Sequence, residues 1–467
     1  MVLQSILRRH FLLNKSKKLL SVGVDEEILA ENINGKLIVT LNRPKTLNAL
    51  NINMVRKLYP ILKEIVPKSI WTRILLVGQS LLCPPLAQGT NFLILRSLSK
   101  SYLQNSHHCL NAFGTCGPRG SSCVLQSFKV PEFELSSYKM NNYLQQCSSD
   151  PSVPFIFVKG AGGKAFCAGG DVVALSRSAQ ANDPSNTIHK DFFREQYVMN
   201  HLIGILKVPY IAVMDGITMG GGCGLSLHGK YRIATERTIL AMPETAIGLF
   251  PDVGGTFFLS RLPYSLGQFM ALTGYRVIGA DVYHMGLATH FVPSEKLKNL
   301  EDELLRTDNK LLSAERIDYI LNKYHMKENE VPKFGLEKRL AQIDHIFSGS
   351  TVESIFKKLR NNGDDFGKKQ FNILSTKSPT SLKVTFRQLQ IGLKMQFHEV
   401  FTMEYRLSQR FMKSHDFHEG CRAILIDKDQ KPVWKPTSIE EITDEMMDKY
   451  FAPLQEDEEL IIKKFEA

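Results

Sequence analysis

Two glycine-rich loops, each set between an apolar run and a helix start, constrain this chain more than anything else in it. The first lies in "VPFIFVKGAGGKAFCAGGD", ending at Asp171. The second lies in "VPYIAVMDGITMGGGCGLSLHG", ending at Gly229. Glycine this dense lets backbone come close to backbone or to a ligand. Repeated strand, glycine loop and helix units define an α/β fold whose loops gather at one face. Neither loop is followed by Gly-Lys-Ser/Thr or spells a dinucleotide fingerprint. Two backbone amides at helix N-termini do offer what a developing oxyanion needs, fixed dipoles that require no reorganisation. Tight helix–sheet packing is the alternative for either loop taken alone.

The same rhythm runs through much of the remaining chain. "KLIVTLNRPKTLNAL" reads as a strand and a turn, and Met54, Leu58, Ile61, Leu62 and Ile65 recur at helical spacing. "YRIATERTILAMPE" holds short strands, and "AIGLFPDVGGTFFLSRL" a loop and a helix. From about Asp308 onward the text is mostly helical, as in "ESIFKKLRN" and "TSLKVTFRQLQIGLKMQF". Between Val66 and Cys147 no period persists, and Glu132 and Glu134 are the only acids. So long an aperiodic stretch inside an α/β unit is foreign to the domain. Residues 66–149 read as a disordered or poorly packed insertion, or as translated sequence foreign to the mature transcript, with an extra subdomain as the alternative.

Charge and cysteine usage narrow the class further. The net charge of +11 is uneven: Arg8, Arg9, Lys15, Lys17 and Lys18 precede the first acid, Asp25. That leader, about residues 1–22, has the composition of a mitochondrial transit peptide, which predicts the matrix; a solvated basic arm is the alternative. No basic stripe interleaved with aromatics suggests nucleic acid, and no apolar run is long enough to span a membrane. The 8 cysteines form no disulfide framework. His107, His108, Cys109, Cys116 and Cys123 match no standard zinc spacing, so no metal is expected.

Two carboxylates stand out, Glu244 and Asp252 in "AMPETAIGLFPDVGG". Pro243 and Pro251 place each at the end of a turn. Beside an oxyanion hole such a pair supplies a base or nucleophile and an acid or orienting group. A helix cap at Glu244 and an Asx turn at Asp252 are the structural alternatives. His415 and His418 in "SHDFHEG" read as structural hydrogen bonders, and Cys223 as small packing.

Together "LNRPKTLNAL", "KGAGGKAFCAGGD", "GITMGGGCGLSLHG" and "AMPETAIGLFPDVGG" resemble the crotonase (enoyl-CoA hydratase/isomerase) superfamily. The C-terminal "SPTSLKVTFRQL" and "TMEYRLSQRFMKSHDFHEGCRAILIDKDQKPVWKP" resemble its 3-hydroxyisobutyryl-CoA hydrolase branch. The resemblance spans about 23–65 and 150–454. It implies a crotonase-like α/β core of ββα turns over 23–65 and 150–307, a helical region over 308–454, and a charged tail at 455–467. It further implies an acyl-CoA ligand, the oxyanion held by the amides of Gly170 and Gly221, and catalysis without a cofactor by Glu244 and Asp252, both also touching substrate, with Asp252 binding the substrate hydroxyl or assisting proton transfer to the leaving thiolate. Where hydratases carry a glutamate in the glycine helix, this chain has Gly224; where they have glycine, it has Asp252. That exchange points to thioester hydrolysis in valine catabolism, with 3-hydroxyisobutyryl-CoA as substrate and 3-hydroxypropionyl-CoA open as a second. The hydrolase branch carries two acids in "R-E-E-Y"; here the segment is "FFREQYVMN", so Glu195 remains and the substrate-facing position is Gln196. A hydratase or isomerase, and a non-catalytic relative disabled by the insertion, are the competing readings. Assembly into a homo-oligomer is left open.

Overall fold

The computed structural model describes residues 26–65 and 153–462 apart from 182 and 184, together with the backbone of 17–19. Residues 1–66 and 150–467 belong to one unit and 67–149 to another. The expected insertion, with its histidines and cysteines, lies outside the described residues. So does the leader, except that Lys17–Leu19 forms an edge strand, β1, antiparallel to β2.

Alternating apolar side chains build a large sheet buried on both faces. Its strands, in spatial order, are β1, β2 (Ile28–Ile33), β3 (Lys36–Leu41), β4 (Ile156–Gly160), β6 (Tyr210–Met214), β8 (Tyr231–Ala234) and β11 (His290–Phe291). From β3 to β11 all neighbours are parallel. On one face Ile38, Phe157, Ile211, Val213 and Ile233 pack with Leu300, Leu304, Ile317 and Leu321. On the other, Val39, Leu41, Ile156, Val158, Ala212 and Met214 join the main core. The period of two sends neighbouring residues to opposite faces, and each fully buried side chain contributes about 1.5–3 kcal/mol.

A second sheet runs β10 (Val277–Ile278), β9 (Ile239–Ala241), β7 (Ile217–Met219), β5 (Ala165–Cys167). Three successive chain segments repeat one plan. β4 passes to β5 and the helix Val172–Gln180, β6 to β7 and a short helix, and β8 to β9 and a 3-10 turn. In each the first strand joins the large sheet and the second the small one. Because β5, β7 and β9 are parallel, their C-terminal ends emerge side by side. The expected ββα turns are thus present, and they deliver three loops to one place.

The helices used below are α1 (Ile52–Glu64), α2 (Val172–Gln180), α3 (Ile188–Ile205), α4 (Gly221–Ser226) and α5 (Gly255–Leu259). Beyond β11 the described chain is helical, as expected, and two of its long helices, Pro379–Gly392 and Phe397–Phe411, pack against the core carrying the site. Residues 455–460 dock rather than trail: Arg194 donates to the carbonyls of Glu458 and Glu459, Arg406 pairs with Glu459, and Leu460 is buried.

Candidate active site

The loop after β5 is braced by the turn after β3. Asn48, buried and left-handed at φ 57°, donates to the carbonyls of Ala161 and Ala165 and accepts from the Arg43 amide. This explains why "NRPKTLNAL" accompanies "AFCAGGD". Leu50 N–H donates to Gly169 O and Asp171 N–H to Leu50 O, both at 2.8 Å. In such a parallel bridge the central residue's own N–H points to the opposite side, so the Gly170 amide is turned away from Leu50. Asp171 then caps α2 by accepting from Ala174 N–H.

The loop after β7 reaches the same place. Gly220 holds φ 47°, ψ −116°, a conformation that excludes ordinary side chains. Gly221 follows as the first residue of α4, where an N–H has no intrahelical partner. A Cβ at Gly221 would lie 3.3 Å from the carbonyl carbon of Gly169 and 3.2 Å from Leu50 Cδ1. The two expected oxyanion amides are therefore brought together, on adjacent loops at the ends of adjacent strands.

The third strand supplies the first carboxylate. Glu244 opens the 3-10 turn after β9 as its first residue, and the N-cap position itself is Pro243. Its Oε1 lies 2.8 Å from where a Gly220 Cβ would stand, while Oε2 is buried without a hydrogen-bond partner. Burial holds this carboxyl well above its ordinary range, and the nearby Asp252 adds to the shift. Asp252 is 5% exposed and accepts a 2.9 Å hydrogen bond from the Tyr197 hydroxyl. Burial pushes it up to about 7 against the lowering effect of that bond. Two buried carboxyls with raised and coupled proton affinities are what general acid–base chemistry near neutrality requires.

Helix α3 lines the site with amides. Gln196 is 1% exposed and so does not face solvent. Its Nε2 is unpartnered and lies 2.9 Å from a would-be Gly221 Cβ. Glu195, the neighbouring acid, faces outward and pairs with Arg56. The position of Gly224 is also explained: a Cβ there would stand 2.6 Å from Val253 Cβ and 2.8 Å from Asn200 Nδ2. No room exists for a glutamate.

Sequence reasoning missed the residues that hold Asp252. Val253 sits at φ 54°, strained for a β-branched residue. Its carbonyl is bonded by His228 Nε2 at 2.7 Å; burial lowers that imidazole to about 4, so it is neutral and donates. Glu404, fully buried, accepts from Gly254 N–H at 2.7 Å and Thr256 N–H at 3.0 Å. Gln388 donates to Pro251 O and Thr256 Oγ1. Burial raises Glu404 to about 8. The available signal was an acid on the apolar face of its helix, between Phe401 and Leu407.

The remaining candidates are structural. His418 bonds Ser176 and the Met412 carbonyl, and His415 the Val433 carbonyl. Cys223 is buried with its thiol pushed upward. A cleft of about 730 Å³ beside β2 and β3, lined by Lys36, Lys159 and Arg306, shares no residue with the carboxylate–glycine cluster. Among the described residues no group of three or more His, Cys, Asp or Glu side chains is placed to hold a metal ion, and no helix is long and apolar enough to cross a membrane.

A two-sheet spiral with paired amide donors and buried carboxyls at its strand ends defines a class. The chain belongs to the enoyl-CoA hydratase/isomerase family, whose model matches residues 136–451. Solved structures of similar fold include an enoyl-CoA hydratase from Rhodobacter sphaeroides, 26% identical with a TM-score of 0.68, covering 94% of this chain and 100% of that one. A carnitinyl-CoA dehydratase from Mycobacterium thermoresistibile is 29% identical with a TM-score of 0.66, over 94% and 99% of the two chains. Curated relatives carry a more particular name. The mitochondrial 3-hydroxyisobutyryl-CoA hydrolase of Rattus norvegicus is 42% identical over 92% of this chain and 89% of its own length. That of Xenopus tropicalis is 52% identical over 65% of this chain and 78% of its own.

Proposed function

We propose that the protein hydrolyses 3-hydroxyisobutyryl-CoA to 3-hydroxyisobutyrate and free CoA, as a mitochondrial matrix enzyme of valine breakdown. The reading is carried by the juxtaposition of the Gly170 and Gly221 amides with Glu244, together with the displacement of any side chain at Gly224 by Val253 and Asn200. A hydratase that adds water across a double bond with two glutamates has no second glutamate here. The thioester oxygen accepts from the Gly170 and Gly221 amides, which gain strength as the carbonyl becomes an oxyanion. Glu244 delivers the attack on the carbonyl carbon, directly through a mixed anhydride or by taking a proton from water. The C–S bond then breaks, and the thiolate leaves with a proton supplied by Asp252, whose raised proton affinity suits an acid. On the anhydride route water then cleaves the mixed anhydride, releasing 3-hydroxyisobutyrate and restoring the Glu244 carboxylate. Gln196 faces the acyl group. No cofactor enters this scheme.

The test is release of free thiol from 3-hydroxyisobutyryl-CoA, followed with a thiol reagent, and its abolition in Glu244→Ala. Hydration of crotonyl-CoA without thiol release would overturn the reading. Label found in Glu244 after a single turnover in ¹⁸O water would establish the anhydride route, with water attacking the glutamyl carbonyl.

A further inference from the structure

Helices α3 and α4 meet along an unusual seam. Gln196 and Asn200, four residues apart on α3, share a face of that helix. Gly221 and Gly224, three apart on α4, share a face of theirs. The two faces match in register: Gln196 Nε2 lies 2.9 Å from the Cβ position of Gly221, and Asn200 Nδ2 lies 2.8 Å from that of Gly224. Each amide occupies space that a side chain on α4 would otherwise fill.

Asn200 is fully buried, and neither its Nδ2 nor its Oδ1 has a hydrogen-bond partner among the described residues. Buried side-chain amides are almost always satisfied, and exceptions mark sites where something else completes them. The missing partner must be able to accept from Nδ2 and donate to Oδ1. A carbonyl, a thioester or an ionised carboxylate accepts only. A hydroxyl does both.

The spacing fits the proposed substrate. Gly224 lies about 4.5 Å along α4 from Gly221, at 1.5 Å rise per residue. A 3-hydroxyl oxygen stands three bonds of about 1.5 Å, two carbon–carbon and one carbon–oxygen, from the carbonyl carbon whose oxygen Gly221 would hold. Asp252 accepts from the Tyr197 hydroxyl on its Oδ2 and serves as the acid, while the amides serve as readers.

We propose that Asn200 is a specificity-determining residue that recognises the 3-hydroxyl of the acyl group and so selects hydroxyacyl-CoA over its deoxy counterpart. The inference rests on the thioesterase reading of the same site. A pocket built to hydrogen-bond a hydroxyl rejects the analogue lacking it by as much as about 10⁴–10⁵, because its buried polar atoms are left unpaired.

The test compares kcat/KM for 3-hydroxyisobutyryl-CoA and isobutyryl-CoA, which differ only in that hydroxyl. The wild-type enzyme is expected to prefer the hydroxylated thioester by at least about 10³. Asn200→Leu is expected to lose about 10–100-fold on it, the effect of one or two buried polar contacts, and far less on isobutyryl-CoA, so that the ratio falls by a similar factor. A ratio unchanged in the variant, with both substrates falling together, would mark Asn200 as a packing residue or the holder of a water, and overturn the proposal. Should Asn200→Leu fail to fold, Asn200→Ala, which removes the amide without adding bulk, carries the same comparison, and an unchanged ratio there overturns the proposal; equal turnover of the two thioesters by the wild-type enzyme refutes it as well. Absence of thiol release from either substrate would instead refute the thioesterase reading itself.

Discussion

Replacing Gly224 by glutamate would restore, on paper, the carboxylate that hydratases of the family carry in the glycine helix. The geometry predicts failure. The new Cβ would stand 2.6 Å from Val253 Cβ and 2.8 Å from Asn200 Nδ2, well inside van der Waals contact. Asn200 has some rotamer freedom with which to retreat. Val253 has little, because its carbonyl is held by His228 and the amides that follow it by Glu404. Overpacking of this kind costs about 1–3 kcal/mol, a fall in Tm of about 1–4 °C for a chain of this size. The larger effect is on catalysis, since relief requires the Asp252–Gly254 loop to move, and a displacement near 1 Å in a reacting group costs about 10² in rate. The assay is paired: thiol release from 3-hydroxyisobutyryl-CoA and loss of the crotonyl-CoA enoyl absorbance, with Tm by scanning fluorimetry. Expected are thiol release lowered by about 10² or more and no hydration. A variant with wild-type Tm and undiminished thiol release, or one that hydrates crotonyl-CoA, would refute the claim that Val253 and Asn200 own that space. Gly224→Ala, which carries the clash without the charge, should show most of the loss.

Further outcomes follow from the buried carboxyls. Tyr197→Phe removes the hydrogen bond that lowers Asp252, so the alkaline limb of kcat/KM should move to higher pH; an unmoved limb would remove Asp252 from the acid role. Asp252 and Glu404 bind protons more tightly folded than unfolded. Their stabilisation is therefore complete below about pH 4 and is lost as pH rises toward 7 and 8. Stability measured by denaturant midpoint should fall between pH 5 and 8, and Glu404→Gln should flatten that fall; parallel slopes in the two proteins would contradict it.

What could be read from the chain was what lies close along it. The glycine loops announced themselves because β5 and β7 each feed directly into a glycine turn, and Glu244 because it follows β9 by so little. Asp252 was legible through Pro251 and the glycines after it. The pins beneath Asp252 were not, because they arrive from helices well over a hundred residues later: Gln388 and Glu404 reach the 251–256 loop across sequence separations of up to 150. No local pattern encodes such a contact. Asn200 escaped notice for a different reason. An asparagine on a largely buried helix looks like an ordinary polar interruption until the fold shows α4 turning only glycines toward it.

The spiral repeat has an implication for how such a catalyst changes its chemistry. Each coil of the chain presents one tip at the same end of the small sheet: a glycine loop from the first, a glycine loop from the second, a carboxylate from the third. Because the tips ride on separate coils, a group can be deleted from one and another introduced nearby while the rest keep their places. A lineage built this way can leave its oxyanion donors untouched and still exchange water addition for bond cleavage, provided the coil that gives up a carboxylate has a neighbour ready to fill the gap. Here that neighbour is the pair of Val253 and Asn200, which makes the exchange hard to reverse by a single substitution.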